Sequence, residues 1–413
     1  MFARGGRSWP VPKLFFPHAI AVQLRDGTFP LLRFSRKGIR VESQEKTPES
    51  ASTSKRKGAQ VDESGKAPAK KSRLSFAFKL GVGIVITIIV VFVSFMIGRY
   101  QNVDAIQAIK ITLHQIFPML PIEQDWAELD ASVVLSIRWP RIIIALFVGA
   151  ALSCSGAAYQ GVFRNPLVSP DILGISAAAG FGAAVAIVFF DPFSPMVQIL
   201  AFICAIGGVV LAYLLARVKG HIPNVMLILA GVVVSAVFNA GISMMKYLAD
   251  PEEELPAITF WLMGSLTGIR WENLAYCVPI IGLALCVLFL FSWRLNLLTM
   301  GDDEARSMGI KASRLKTIVI ICATAMTATA VSQAGTIGWI GLVIPHMARM
   351  VAGPDHSKLI PMSAVMGGTF LLFIDDLTRV VSETALPLSI PIALIGAPFF
   401  AFLLRKTKQG WIE

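Results

Sequence analysis

The sequence predicts an all-α polytopic membrane protein with about ten transmembrane helices, and three observations predict it. Of 413 residues, 55% are apolar and only 15% charged, whereas soluble domains carry about 25% charged residues. Apolar runs near the length needed to cross a bilayer recur from Phe76 onward. Charged side chains gather between those runs, because a charge at membrane depth costs several kcal/mol.

The net charge of +11 belongs to one end. Met1–Arg73 holds 16 Lys/Arg against 6 Asp/Glu, and the remaining residues carry 21 against 20. The chain therefore divides into a basic cytoplasmic N-terminal extension, 1–73, and a nearly neutral membrane body, 74–413. Nucleic-acid binding is a poor account of the basic end, since no aromatic–basic platform accompanies it.

Within the extension, Met1–Val41 is weakly apolar and broken by Pro10, Pro12, Pro17 and Pro30. The stretch Gln23–Pro30 suggests a small hairpin around Asp26-Gly27. Glu42–Arg73 is rich in Ser, Lys, Glu and Ala without aromatics, and reads as a disordered linker. The first 30 residues lack the continuous apolar core of a secretory signal. A tether or regulatory tail is expected, or a segment translated from an upstream start.

The expected spans are Phe76–Ile97, Ile142–Val162, Ile172–Phe190, Met196–Ala216, Val225–Tyr247, Leu274–Ser292, Leu315–Val331, Ile337–Val351, Leu359–Thr378 and Ile390–Leu404. Lys79 is placed to snorkel from the first. The eighth holds Gly338, Gly341 and Pro345, so it either crosses or enters and bends where protein covers its backbone. Small residues crowd Gly149–Gly156, Ala177–Ala184 and Ala323–Ala330, which permits close helix contact. The five cysteines, Cys154, Cys204, Cys277, Cys286 and Cys322, all lie in apolar runs without a CxxC pair. They read as small buried residues, with no disulfide framework and no metal site.

Orientation follows from the short loops. Counting from a cytoplasmic amino end, Lys and Arg fall in alternate loops, while Asp191–Pro195 and Gln333–Thr336 carry none and Ala249–Trp271 is acidic with one Arg. Both termini are then cytoplasmic. So is the polar island Gly301–Ile310, between the sixth and seventh spans. With Asp302, Asp303, Glu304 and Arg306 it cannot lie in hydrocarbon. It must protrude and offer a short polar surface. Gly301 and Gly309 bound it, Glu304 and Arg306 are expected outward, and Ala305 and Met308 are expected as apolar contacts, with Ser307 between them.

Several stretches together resemble the permease subunits of type II ABC importers, the family that moves ferric siderophores, haem and vitamin B12. They include RWPR (Arg138–Arg141), GAALSCSGAAYQ (Gly149–Gln160), RNPLVSPDILGIS (Arg164–Ser176), FWLMGSL (Phe260–Leu266), GDDEARSMGI (Gly301–Ile310), GxIGWIGLVIPHMAR (Gly335–Arg349), GPDH (Gly353–His356) and IGAPFF (Ile395–Phe400). Matches run in order from about Arg138 to Lys406, with the first span fitting by position and residues 1–73 outside the pattern.

The resemblance implies the type II ABC importer permease fold in a prokaryotic inner membrane. It also implies a homodimer, or a heterodimer with a paralogue, two cytosolic ATPase subunits, and an extracytoplasmic binding protein that delivers cargo. No GxxxxGK[ST] is present, so ATP and Mg belong to the partners and the chain itself holds no cofactor. By the same resemblance the Gly301–Gly309 island couples to the ATPase. Arg138, Arg141 and Arg379 dock the binding protein through charge-assisted bonds. Asn165, Leu167 and Asn224 form a cytoplasmic gate, although Asn224 stands where the family more often has a small hydroxyl residue. Asp375 and Asp376 lie within helical reach of Arg379, so local pairing is the competing reading.

His346 reads as hydrogen-bonded structure, and no catalytic constellation is visible. An ion-coupled secondary transporter would need buried charges near mid-membrane, and the spans after residue 140 hold almost none away from their ends. The expected cargo is a ferric siderophore, with haem, cobalamin or molybdate as alternatives.

Overall fold

The computed structural model describes residues 33–35, 38–40, 75–98, 103–119, 121–217, 223–381 and 386–407. The chain divides into two units, Met1–Lys71 and Ser72–Glu413. In the first, strands β1 (Arg33–Ser35) and β2 (Gly38–Arg40) pair antiparallel, with Phe34 opposite Ile39. The hairpin expected around Asp26-Gly27 and the linker Glu42–Arg73 lie outside the described residues.

The second unit is helical. Its helices are α1 (Phe76–Met96), α2 (Ala105–Ile116), α3 (Glu128–Ser132), α4 (Trp139–Phe163), α5 (Ile175–Phe189), α6 (Met196–Ala216), α7 (Asn224–Leu248), α8 (Glu254–Met263), α9 (Trp271–Met300), α10 (Asp302–Ser307), α11 (Ala312–Ala334), α12 (Ile340–Ala352), α13 (His356–Val381) and α14 (Ser389–Thr407). Among the described residues, seven helices are long and apolar enough to cross a membrane: α1, the continuous run ending in α4, α6, α7, α9, α11 and α13. Three shorter apolar helices, α5, α12 and the start of α14, complete the ten expected segments.

The run through α4 is the axis of the bundle. It starts at Glu128, passes through a π-helical turn at Val133–Arg138, and continues to Phe163. Of its most apolar window 83% is buried, against none of α1's. Glycine lets its neighbours approach. A Cβ on Gly149 would lie 2.2 Å from the Gly367 carbonyl oxygen of α13, and one on Gly156 would lie 1.8 Å from that of Gly341 in α12. Backbones thus touch directly, as the small-residue runs predicted.

The sixth span is longer than expected. α9 runs 30 residues, about 45 Å, well beyond a hydrocarbon core of about 30 Å. Hydropathy falls at Arg294, but Leu295 and Leu298 are fully buried against protein and carry the helix on to Met300. The eighth segment is shorter than expected. α12 has 13 residues, about 20 Å, and cannot span alone. The extended backbone before it is met by protein: Ser265 N donates to Ala334 O at 2.8 Å, and the Thr336 hydroxyl donates to Leu262 O. Irregular backbone survives at such depth only under cover of this kind. The short helices α2 and α8 were not anticipated, since each sits in a segment too polar or too short to register as a span.

Candidate functional site: the α10 connection and the arginine cluster

α10 is the expected polar island, set between the ends of α9 and α11. Gly301 breaks α9 with φ +152°, and Gly309 closes the turn with φ +81°. The Glu304 carboxylate folds over Gly301, occupying the place a Cβ there would take. Asp303, Glu304, Arg306, Ser307, Met308 and Gly309 are exposed. Ala305 is not: it is fully buried, turned in against the body of the protein, so it is no outward contact. Its carbonyl accepts from Ile310 N at 3.0 Å and pins the turn from inside.

Asp302 is the anchor. Its Oδ1 pairs with the Arg164 guanidinium at the end of α4, and its Oδ2 takes Lys316 Nζ of α11 at 2.6 Å. Arg164 itself stands in the left-handed region with φ 51°, where α4 stops before Pro166. Burial acts to raise the Asp302 pKa, but Lys316 and then Arg164 outweigh it and hold the carboxyl below its usual range.

The same ammonium reaches the expected gate. Lys316 Nζ also donates to Asn224 Oδ1 at 3.3 Å, and Asn224 Nδ2 donates to Val162 O at 3.2 Å. Asn224 thereby joins the start of α7 to the last turn of α4. One residue past Arg164, Asn165 Oδ1 accepts from Leu167 N at 2.9 Å, a side-chain-closed turn that leaves Leu167 outward. The structure thus brings Asn165, Leu167 and Asn224 together with Asp302. The residues that join them are Arg164, which opens the RNPL stretch, and Lys316, at the start of the seventh span; neither was expected to pair with Asp302.

A second tie fixes the end of α9. Asn296 Nδ2 donates to Asp355 Oδ1 at 2.7 Å, while Asn296 Oδ1 lies 2.8 Å from His356 N and 2.9 Å from His356 Nδ1. Burial raises the Asp355 pKa, but bonds from Asn296 and Ser357 and the charge of Lys358 bring it below the usual carboxylate value. Lys79, expected to snorkel, has its Nζ 2.7 Å from Val351 O, where it satisfies a carbonyl at the end of α12.

At the far end of α4 the three expected arginines do come together, but their charged groups turn inward. Arg141 grips Asp375 with two bonds, Nε to Oδ2 at 2.9 Å and Nη2 to Oδ1 at 2.8 Å. Arg379 pairs with Asp376, lies 3.3 Å from Asp375 Oδ2, and donates to Ile97 O at 2.5 Å and Ser94 Oγ at 2.7 Å. Arg138 is buried and donates to Phe95 O. Asp375 is fully buried. The cluster ties α1, α4 and α13, which is the local pairing that the Asp375/Asp376 spacing allowed.

These features define a class: a polytopic helical membrane protein with a polar connection anchored by charges at one end and an internal arginine–carboxylate cluster at the other. Residues 86–406 match the FecCD transport family, and the chain belongs to that family. It is 38% identical over 337 residues to the molybdate import system permease protein MolB of Haemophilus influenzae, covering 81% of this chain and 96% of that one. It is 38% identical over 278 residues to the Fe(3+) dicitrate transport system permease protein FecD of Escherichia coli, covering 67% and 86%. Among solved structures, a metal-chelate type ABC transporter in an inward-facing conformation superposes with a TM-score of 0.70 at 36% identity, over 80% of this chain and 99% of that one. The chain is a multi-pass membrane permease.

Proposed function

We propose that this permease is the membrane-spanning subunit of an ATP-binding-cassette importer that brings an iron(III)–siderophore or similar metal chelate into the cytoplasm. ATP and Mg are held by two partner ATPase subunits, and two permease chains, identical or paralogous, enclose the path. Cargo arrives from an extracytoplasmic binding protein. Both termini and α10 lie on the cytoplasmic side of the inner membrane.

The observation that carries this reading is the division of labour within α10. Asp302 and Ala305 fasten it inward, while Asp303, Glu304 and Arg306, with Met308 just past its end, face out. A short helix so fixed moves as one piece when an ATPase surface pushes on it. Asp302 then hands the displacement to the Arg164–Leu167 turn and, through Lys316, to Asn224. The ATPase shifts the gate between two populations because it contacts α10 differently in each. At the other end, Arg138, Arg141 and Arg379 brace the rim on which the binding protein docks.

The cargo reading rests on the relatives, which include the Fe(3+) dicitrate permease and the metal-chelate transporter. The molybdate permease, covered over 96% of its length, favours an oxyanion as the second reading. A cobalamin import permease of Halobacterium salinarum, 39% identical over 288 residues, supports cobalamin in the same way. The test is uptake into vesicles holding the permease and its ATPase, with the cognate binding protein loaded in turn with a ferric siderophore, cobalamin or molybdate. ATP-dependent accumulation of the iron chelate is expected. Accumulation of molybdate alone would replace the cargo, and accumulation without nucleotide would remove the whole reading.

A further inference from the structure

A cleft of about 890 Å³ opens between the first turns of α6 and α9. On the α6 side it is lined by Ile199, Phe202 and Ile203, and Ile199 and Ile203 are exposed. The apolar part of this wall offers dispersion contacts to an acyl chain, and Gln198, Asn273 and Thr329 add polar groups beside it. Tyr276 lines it farther along α9, and Trp271, beside its mouth, is half exposed with its indole N–H on Leu135 O at 2.8 Å. Exposed Trp and Tyr at the end of a spanning helix mark headgroup depth.

Two opposite charges stand at that depth. Arg270 and Glu272 both line the cleft and both are exposed. Among the described residues neither forms an ion pair, with the other or with any third group. A neighbouring recess shares Arg270 and Glu272 and includes Arg141, which places the mouth at the arginine-cluster end of the bundle.

We propose that this cleft is a lipid site for a phospholipid with a primary-amine headgroup, as in phosphatidylethanolamine. One acyl chain lies along Ile199 and Ile203, the phosphate meets the Arg270 guanidinium, and the ammonium meets the Glu272 carboxylate. Arginine suits a phosphate because its fork donates two parallel bonds. Glu272 supplies the choice of headgroup. It repels a purely anionic lipid, and a quaternary amine has no N–H to give it. The proposal is independent of what the permease carries.

The full-length permease, purified and delipidated, is titrated with phosphatidylethanolamine, phosphatidylglycerol or phosphatidylcholine and read by native mass spectrometry. One phosphatidylethanolamine per chain is expected, preferred over the other two by about tenfold, the factor one charge-assisted bond supplies. Arg270→Ala should weaken all three lipids, whereas Glu272→Gln should abolish the preference and retain phosphate-dependent binding. Equal binding of the three lipids by wild type, or binding indifferent to Arg270→Ala, would overturn the proposal. A photo-reactive side chain at Ile203, in the otherwise unchanged protein in native membranes, gives a second readout free of folding effects. It should label aminophospholipid, and labelling of a second copy of this chain instead would also overturn the proposal.

Discussion

Lys316 Nζ lies 2.6 Å from Asp302 Oδ2 and 3.3 Å from Asn224 Oδ1. One ammonium therefore joins the exposed connection α10 to the start of α7, on a helix that also bears on the end of α4 through Asn224.

Breaking this link should uncouple the machine while leaving its ATPase contacts alone. For Lys316→Gln in the reconstituted complex, cargo moved per ATP hydrolysed should fall several-fold, and Lys316→Arg should restore most of it. Uptake and hydrolysis measured on the same vesicles check this. A fall of both in parallel would indicate misfolding and count against a coupling role.

Asp302 should not make transport pH-sensitive near neutrality. Its folded pKa lies below the ordinary carboxylate value, so the stability it adds is complete above about pH 4 and is lost as pH falls through the lower folded value. The coupling ratio is expected to stay flat from about pH 8 to pH 5 as far as Asp302 decides it. Asp302→Asn, which weakens the attraction to two cations, should lower that ratio across the whole range.

The Arg141–Asp375 bond should show the asymmetry of a buried pair. Arg141→Ala takes the bidentate partner from a fully buried carboxylate that keeps Arg379 at 3.3 Å, so the loss should fall below the about 3–5 kcal/mol of a buried charge left with no partner. Arg141→Ala with Asp375→Ala should be far less damaging than the two single losses added together. Thermal unfolding of the four purified proteins provides the comparison.

Glycine contacts between α4 and its neighbours should tolerate nothing larger. Gly156→Ala puts a methyl 1.8 Å from the Gly341 carbonyl, whereas Gly207→Ala meets nothing within 4 Å. The first should lower the melting temperature by several degrees, since core overpacking costs about 1–3 kcal/mol. The second should leave it unchanged.

Much of this fold was legible because hydrocarbon imposes a simple demand: about 20 apolar residues and no free charge. Met196–Ala216 agrees residue for residue, and the ends of the first and fifth spans agree to within one. What hydropathy misses is helix supported by protein instead of lipid, as at Leu295–Met300 in α9, and helix too short to cross, as in α2 and α8. The candidate site was legible as polar islands and motifs in sequence, but not as a network. Arg164, Asp302 and Lys316 are separated by up to 152 positions, and nothing along the chain says that they meet. The direction of Ala305 was equally hidden: a six-residue helix with three acidic residues shows that Ala305 is an apolar contact, but not that it packs inward while Met308 stays exposed.

The central claim is that force from nucleotide hydrolysis in another polypeptide enters through α10. A photo-cross-linking residue at Met308, which is exposed and outside the ionic network, tests it in the assembled transporter. Adducts to the ATPase subunit, changing in yield between ATP-bound and nucleotide-free complexes, are the predicted result. Adducts to the extracytoplasmic binding protein, or a yield indifferent to nucleotide, would contradict the account.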